Sequence, residues 1–226
     1  MLDQLIIGDK HSYDDFEASI SARKIGMPEQ KKMRETIPYS NITYDFSRIN
    51  GEIYYEDREL EYSFEMTAET PEKLEDLKAA FSNWITGVFQ EELHDPFIPD
   101  YHFIATYDSM TYDDDAGLEK TTANVKFTAY PYKIANYKTV YKAAVLSALP
   151  FNISVVNKSS HPVTVNFSGN SSFGVNDGVK NIITEYPEPF VYSKAIGRLE
   201  CGLRILTISG ASAGDEIEIS FAEEVI

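Results

Sequence analysis

Residues 59–85 constrain the fold more than any other stretch. Leu60, Tyr62, Phe64 and Met66 alternate strictly with Glu59, Glu61, Ser63 and Glu65. A period of two marks a strand with one apolar and one acidic face. A helical pattern then opens at Thr70–Pro71, a good N-cap followed by a residue suited to the first helical position. Leu74, Leu77, Phe81, Trp84 and Ile85 recur at threes and fours and form a single apolar stripe. Glu72, Glu75 and Asp76 complement the helix dipole, and Gly87 marks the stop. Upstream, Thr43–Arg48 reads as a strand and Asn50–Gly51 as a hairpin dipeptide. Tyr55–Arg58 either turns again or continues the next strand. Residues Ile42 to Gly87 are thus expected to form a long hairpin with one helix laid over it, the helix stripe packing on the Leu60–Met66 face. Glu59, Glu61, Glu65 and the Asn50–Gly51 tip would remain free.

The flanking sequence is mostly extended. Leu5–Ile7, a turn at Gly8–Asp9, and a piece through Phe16, Ala18 and Ile20 precede an irregular arm, Met27–Glu35, that holds Lys31, Lys32 and Arg34. After the helix, a proline-rich link (His94–Asp100) leads to a strand over Tyr101–Asp108. An acidic loop over Met110–Lys120 and a strand over Thr122–Tyr130 follow. Residues 134–150 are mixed in character. Beyond Pro150, runs such as ISVVN, VTVNF, IITEY, FVYSK, LRILTIS and EIEISF recur between Gly, Asn, Ser and Pro, the pattern of a small antiparallel sandwich. The expected fold is mainly β, a β-rich α+β chain. Its domains are residues 1–147, with the hairpin and helix, and 148–226, the sandwich.

The formal charge is −16, which argues against direct binding to nucleic-acid backbone or an anionic membrane. Residues 1–149 hold 15 basic and 27 acidic side chains, a balance of −12, and the remainder hold 5 and 9, a balance of −4. With no leader pattern and no apolar run of spanning length, synthesis in the cytoplasm of the producing cell is expected. Asn-x-Ser/Thr matches at Asn41, Asn152, Asn157, Asn166 and Asn170 then reflect composition only. The single cysteine, Cys201, cannot form an intramolecular disulfide. Its apolar surroundings in LECGLRILTIS suggest a buried, inert thiol.

Candidate chemistry is sparse. Gly210–Ala–Ser212–Ala–Gly214 matches a nucleophile elbow, but that device needs a following helix and a late histidine. Here a strand pattern follows, and no histidine comes after His161. Asp113, Asp114 and Asp115 lack the alternate spacing, glycine and glutamate of a calcium loop. His94 and His102, with Asp95 and Asp100 between them, span eight residues and two prolines, a spacing that matches no common ligand set. No phosphate-cradling glycine loop occurs, and nothing brings two carboxylates together as a glycosidase pair. No catalytic, cofactor-binding or metal-binding residues are therefore assigned. The expectation is a structural or binding protein, not an enzyme, with no cofactor.

An ordered set of segments resembles the distal tail protein family of long-tailed bacteriophages, over about residues 1–140. His11–Phe16 resembles the early strands, and Glu35–Pro38 followed by Thr43–Phe46 a later pair. Where relatives often carry a proline–glycine–arginine turn, this chain has Tyr39–Ser–Asn41. Arg58–Phe64 resembles the core strand, and Leu74 to Trp84 the helix ending in an Asn–Trp pair, here Asn83–Trp84. Asp100–Ile104 and Val125–Lys133 resemble the last strands and their Pro–Tyr terminus.

The resemblance implies a virion structural protein. Its first domain, tail-tube-like, would form a homo-hexameric ring at the tail tip, joining the tail tube protein to tail-tip and receptor-binding proteins. DNA would pass through the lumen without specific binding, and an acidic lumen would repel it. The second domain would be a galectin-like or carbohydrate-module-like sandwich. The alternative is a carbohydrate- or protein-binding module without ring assembly. Sugar sites of this kind usually stack the sugar on an aromatic, often tryptophan. This half has no tryptophan, and its aromatics Phe173, Tyr186, Phe190 and Tyr192 read equally as core.

Overall fold

A computed structural model of the chain describes residues 4–48, 51–115, 119–188 and 191–226. The fold is mainly β, with one helix among the described residues, and the chain divides into two compact units, 1–133 (with Ile226) and 134–225.

The first unit contains β1 (Ile6–Ile7), β2 (Lys10–His11), β3 (Ser19–Ile25), β4 (Arg34–Thr36), β5 (Thr43–Asp45), β6 (Arg58–Thr67), α1 (Pro71–Ile85), β7 (Glu91–His94), β8 (Tyr101–Asp114) and β9 (Lys120–Ala129). Seven of these strands pair in the order β3-β6-β9-β8-β7-β1-β2, every pair antiparallel. Strand β6 lies inside this sheet. Its apolar face, Leu60, Tyr62, Phe64 and Met66, is fully buried. Helix α1 packs there through Leu74, Phe81, Trp84 and Ile85. The Phe64 and Phe81 rings meet edge to face at 5.2 Å, and Phe16 stacks on Trp84 at 4.7 Å. Offset and edge contacts of this kind suit the aromatic quadrupole. Thr70 caps the helix by accepting from the Lys73 N–H at 3.3 Å.

The strand and helix thus form as the alternation and capping signals require, but the long hairpin does not. The partners of β6 are β3 and β9, both remote in sequence: Phe64 lies opposite Ile20 and Ala123. Strand β5 instead turns back on β4, with Arg34, Glu35 and Thr36 facing Asp45, Tyr44 and Thr43. The turn lies in residues 37–42, where Tyr39 takes a positive φ of 63°. Asn50 of the expected hairpin tip lies outside the described residues. Strand β8 runs to Asp114, so part of the expected acidic loop is strand. Gly87 follows the helix without left-handed geometry; Thr86 is the C-cap.

The second unit comprises β10 (Lys133–Ala144, from Ile134 on), β11 (Phe151–Asn157), β12 (Val163–Ser168), β13 (Gly174–Asn176), β14 (Ile183–Glu185), β15 (Lys194–Leu199), β16 (Gly202–Ser209) and β17 (Glu216–Val225). One sheet runs β14-β15-β12-β17-β10 and the other β11-β16-β13. Val163, Val165, Phe167, Ile217, Ile219 and Phe221 of the first sheet share one buried cluster with Val155, Val175, Leu206 and Ile208 of the second. Residues 134–144 belong with this unit because they pair with β17: Tyr141 stacks near Phe221, and Lys142 bonds Glu216 and Glu218. The FVYSK run is not a strand over its described residues 191–193. The strand begins at Lys194, and β13 adds one that the periodicity misses.

Candidate functional site

Two places in the first unit stand apart from its core. The first is the arm, residues 26–57. None of its described residues joins the buried cluster, yet it exposes Met33, Ile37, Tyr39, Ile42, Tyr44, Phe46 and Tyr54. Tyr39 is fully exposed (109%), and Tyr44 and Phe46 stack at 6.2 Å on the outside of the β4–β5 hairpin. Polar contacts hold its shape. Arg34 Nε donates to Asp45 Oδ2 at 3.1 Å, Met33 N–H to Ser47 Oγ at 2.9 Å, and Ser47 N–H to Asp45 Oδ1 at 3.0 Å. The Ser47 bonds, with Arg34 adding to them, pull the Asp45 carboxyl down to about 2 from an ordinary 3.8. A lone two-stranded hairpin is marginal in water, and contiguous exposed apolar side chains mark a surface that meets a partner.

The second place is the end of the β7–β8 pair. The sequence groups His94, Asp95, Asp100 and His102; the structure sends the two aspartates elsewhere and keeps the two histidines together. Asp95 turns inward, fully buried, accepting from Arg23 Nη1 at 2.6 Å, Tyr62 OH at 2.9 Å and the Phe97 N–H at 2.9 Å. Burial, with the neighbouring Asp95 charge, pushes the Tyr62 hydroxyl pKa well above its usual range. Asp100 stays exposed. His94 and His102 come together, ring centroids 5.2 Å apart, and Glu92 joins them with Oε2 3.5 Å from His94 Nε2. Sequence reasoning missed Glu92, whose signal was its place two residues before His94 on one strand face.

The other sequence candidates fall elsewhere. Glu59, Glu61 and Glu65 are not free. Lys126 meets Glu59 at 2.8 Å, Lys24 meets Glu61 at 2.7 Å, and Lys120 meets Glu65 at 3.1 Å. These lysines come from the two strands flanking β6 and form a cross-strand ladder of ion pairs. Asp114 bonds Lys78 of the helix at 2.6 Å, and Asp113 accepts from Asn124 at 2.7 Å. Residues 210–214 turn directly from β16 into β17. Ser212 N–H donates to Ser171 Oγ and Asp215 Oδ2, so its surroundings are those of a turn. Cys201 is half-buried at the β15–β16 turn, not fully buried as its apolar surroundings suggest. Phe173 is core, Tyr186 and Tyr192 lie 5.2 Å apart, and Phe190 is outside the described residues.

No protein-family model matches the chain, and no curated protein matches it in sequence. Solved structures do match in shape. One is the Dit protein (gp 19.1) of phage SPP1, described as a paradigm of the hub adsorption apparatus in phages infecting Gram-positive hosts. It is 12% identical, with a TM-score of 0.67, and the match covers 97% of this chain and 98% of that one. A chain of the phage P2 baseplate in its activated, calcium-containing conformation matches over the same shares, at 11% identity and a TM-score of 0.42. Across nearly its whole length, this chain has the fold of the SPP1 Dit protein.

Proposed function

We propose that the chain is a phage distal tail protein, a structural component of the virion tail tip that forms a hexameric ring hub. The arm carries this reading. It presents apolar and aromatic side chains on a hairpin with no core beneath it, as expected of a part completed by a neighbouring subunit. The fold shared with a phage hub protein supports the same role. In this reading the ring joins the tail tube protein to tail-tip or receptor-binding proteins, and the acidic charge of the first unit keeps passing DNA from adhering. The role is structural and needs no cofactor. Native mass measurement of the purified chain tests the proposal: six-copy assemblies are expected, and a monomer at every concentration, with no rings in micrographs, overturns it.

A second reading keeps one observation of its own. Tyr192 is 59% exposed beside Tyr186, and exposed aromatics are surfaces on which sugar faces stack. Glycan binding that Tyr192→Ala abolishes would favour a carbohydrate-binding second unit; a glycan array with no binding would remove that reading.

A further inference from the structure

We infer that Glu92, His94 and His102 form a binding site for a divalent transition-metal ion of the zinc class. The inference stands on local geometry and is independent of ring assembly. Strands β7 and β8 pair with Glu92 opposite Ile104 and Leu93 opposite Phe103. Continuing that register, His94 comes level with His102. Leu93 and Phe103 are fully buried on the core side. The alternation of strand side chains therefore places Glu92, His94 and His102 together on the other face. One ligand atom from each lies within 4.8 Å of the other two.

Two imidazoles and one carboxylate form a donor set that suits zinc and its neighbours, with water completing the shell. A tetrahedral ion with bonds of about 2.1 Å holds its ligand atoms about 3.4 Å apart. Small side-chain rotations therefore close the set, and the Glu92–His94 distance of 3.5 Å is already right. The backbone beneath is fixed. Strand β1 pairs with β7 on its other side, through Ile6 opposite His94 and Ile7 opposite Leu93. The link between the two histidines is anchored by Asp95 and by the Ile98 N–H donating to Asp95 O at 2.9 Å. A bound ion would clip the ends of β7 and β8 together.

The test uses the full chain stripped of metal by chelator. Titration with zinc followed by calorimetry, and with cobalt followed by its visible absorption, should each show one ion per chain. Zinc should also raise the melting temperature, because it binds the folded state. His94→Ala and His102→Gln should each weaken binding at least about tenfold and remove the thermal shift, while His161→Ala in the second unit should change neither. His94 is a third exposed, so its variant is expected to fold even where His102→Gln does not; circular dichroism checks this. No binding of either metal, or binding that His94→Ala leaves intact, overturns the site.

Discussion

The arm and the β6–α1 layer are neighbours in sequence and similar in apolar content, yet they use that content in opposite ways. In the layer, the large apolar side chains of the strand face share one buried cluster with those of the helix, and Phe81 meets Phe64 and Trp84 edge to face. In the arm, Tyr44 and Phe46 stack on each other and stay partly exposed, outside the buried cluster. Of these two regions, the layer supplies buried apolar packing to the single chain, and the described residues of the arm add none to that cluster. Apolar residues kept on a coreless hairpin point to burial in an assembly, since exposing them gives the monomer nothing.

The comparison can be broken most easily in the core. Phe64→Ala removes a fully buried ring and should cost about 3–5 kcal/mol in chemical unfolding; a loss below about 1 kcal/mol would show that the layer is not the stabilising element. Asp95→Ala comes next. It leaves the Tyr62 hydroxyl buried without its acceptor and Arg23 without its counter-ion, for an expected loss of about 1–3 kcal/mol. In the arm, Tyr44→Ser with Phe46→Ser should change unfolding by less than about 0.5 kcal/mol, and a core-sized loss would mean the arm is packed after all.

The smallest effect is local and depends on pH. The Asp45 carboxyl is depressed from 3.8 to about 2 in the folded chain. Its contribution is therefore fully present above about pH 4 and lost as pH falls through 2. Amide exchange at Met33 and Ser47 should accelerate over that window while the β6 amides stay protected. Equal protection at Met33 across the window, or the same profile in Asp45→Asn, would contradict it.

What the sequence revealed follows the range of the interactions involved. Strand β6 and helix α1 were legible because alternation, capping by Thr70 and the three–four stripe are local signals. The partners of β6 were not. Pairing Phe64 with Ile20 and Ala123 is a choice among distant strands, and Asn50–Gly51 suggested a nearer one. Glu59, Glu61 and Glu65 read as a bare acidic face because their lysines arrive from other strands. Linear spacing hides the histidine pair, because eight residues with Pro96 and Pro99 among them match no common ligand set. In the fold those prolines sit in the tight link that returns β8 alongside β7, so eight residues apart becomes side by side.

The central claim is that the arm turns a stable monomer into a ring subunit. Native mass spectrometry of the full chain beside the Tyr44→Ser/Phe46→Ser variant addresses it most directly. Six-copy assemblies for the unaltered chain and folded monomers for the variant are the predicted result. Identical assemblies from both, or monomers from both, would contradict the account.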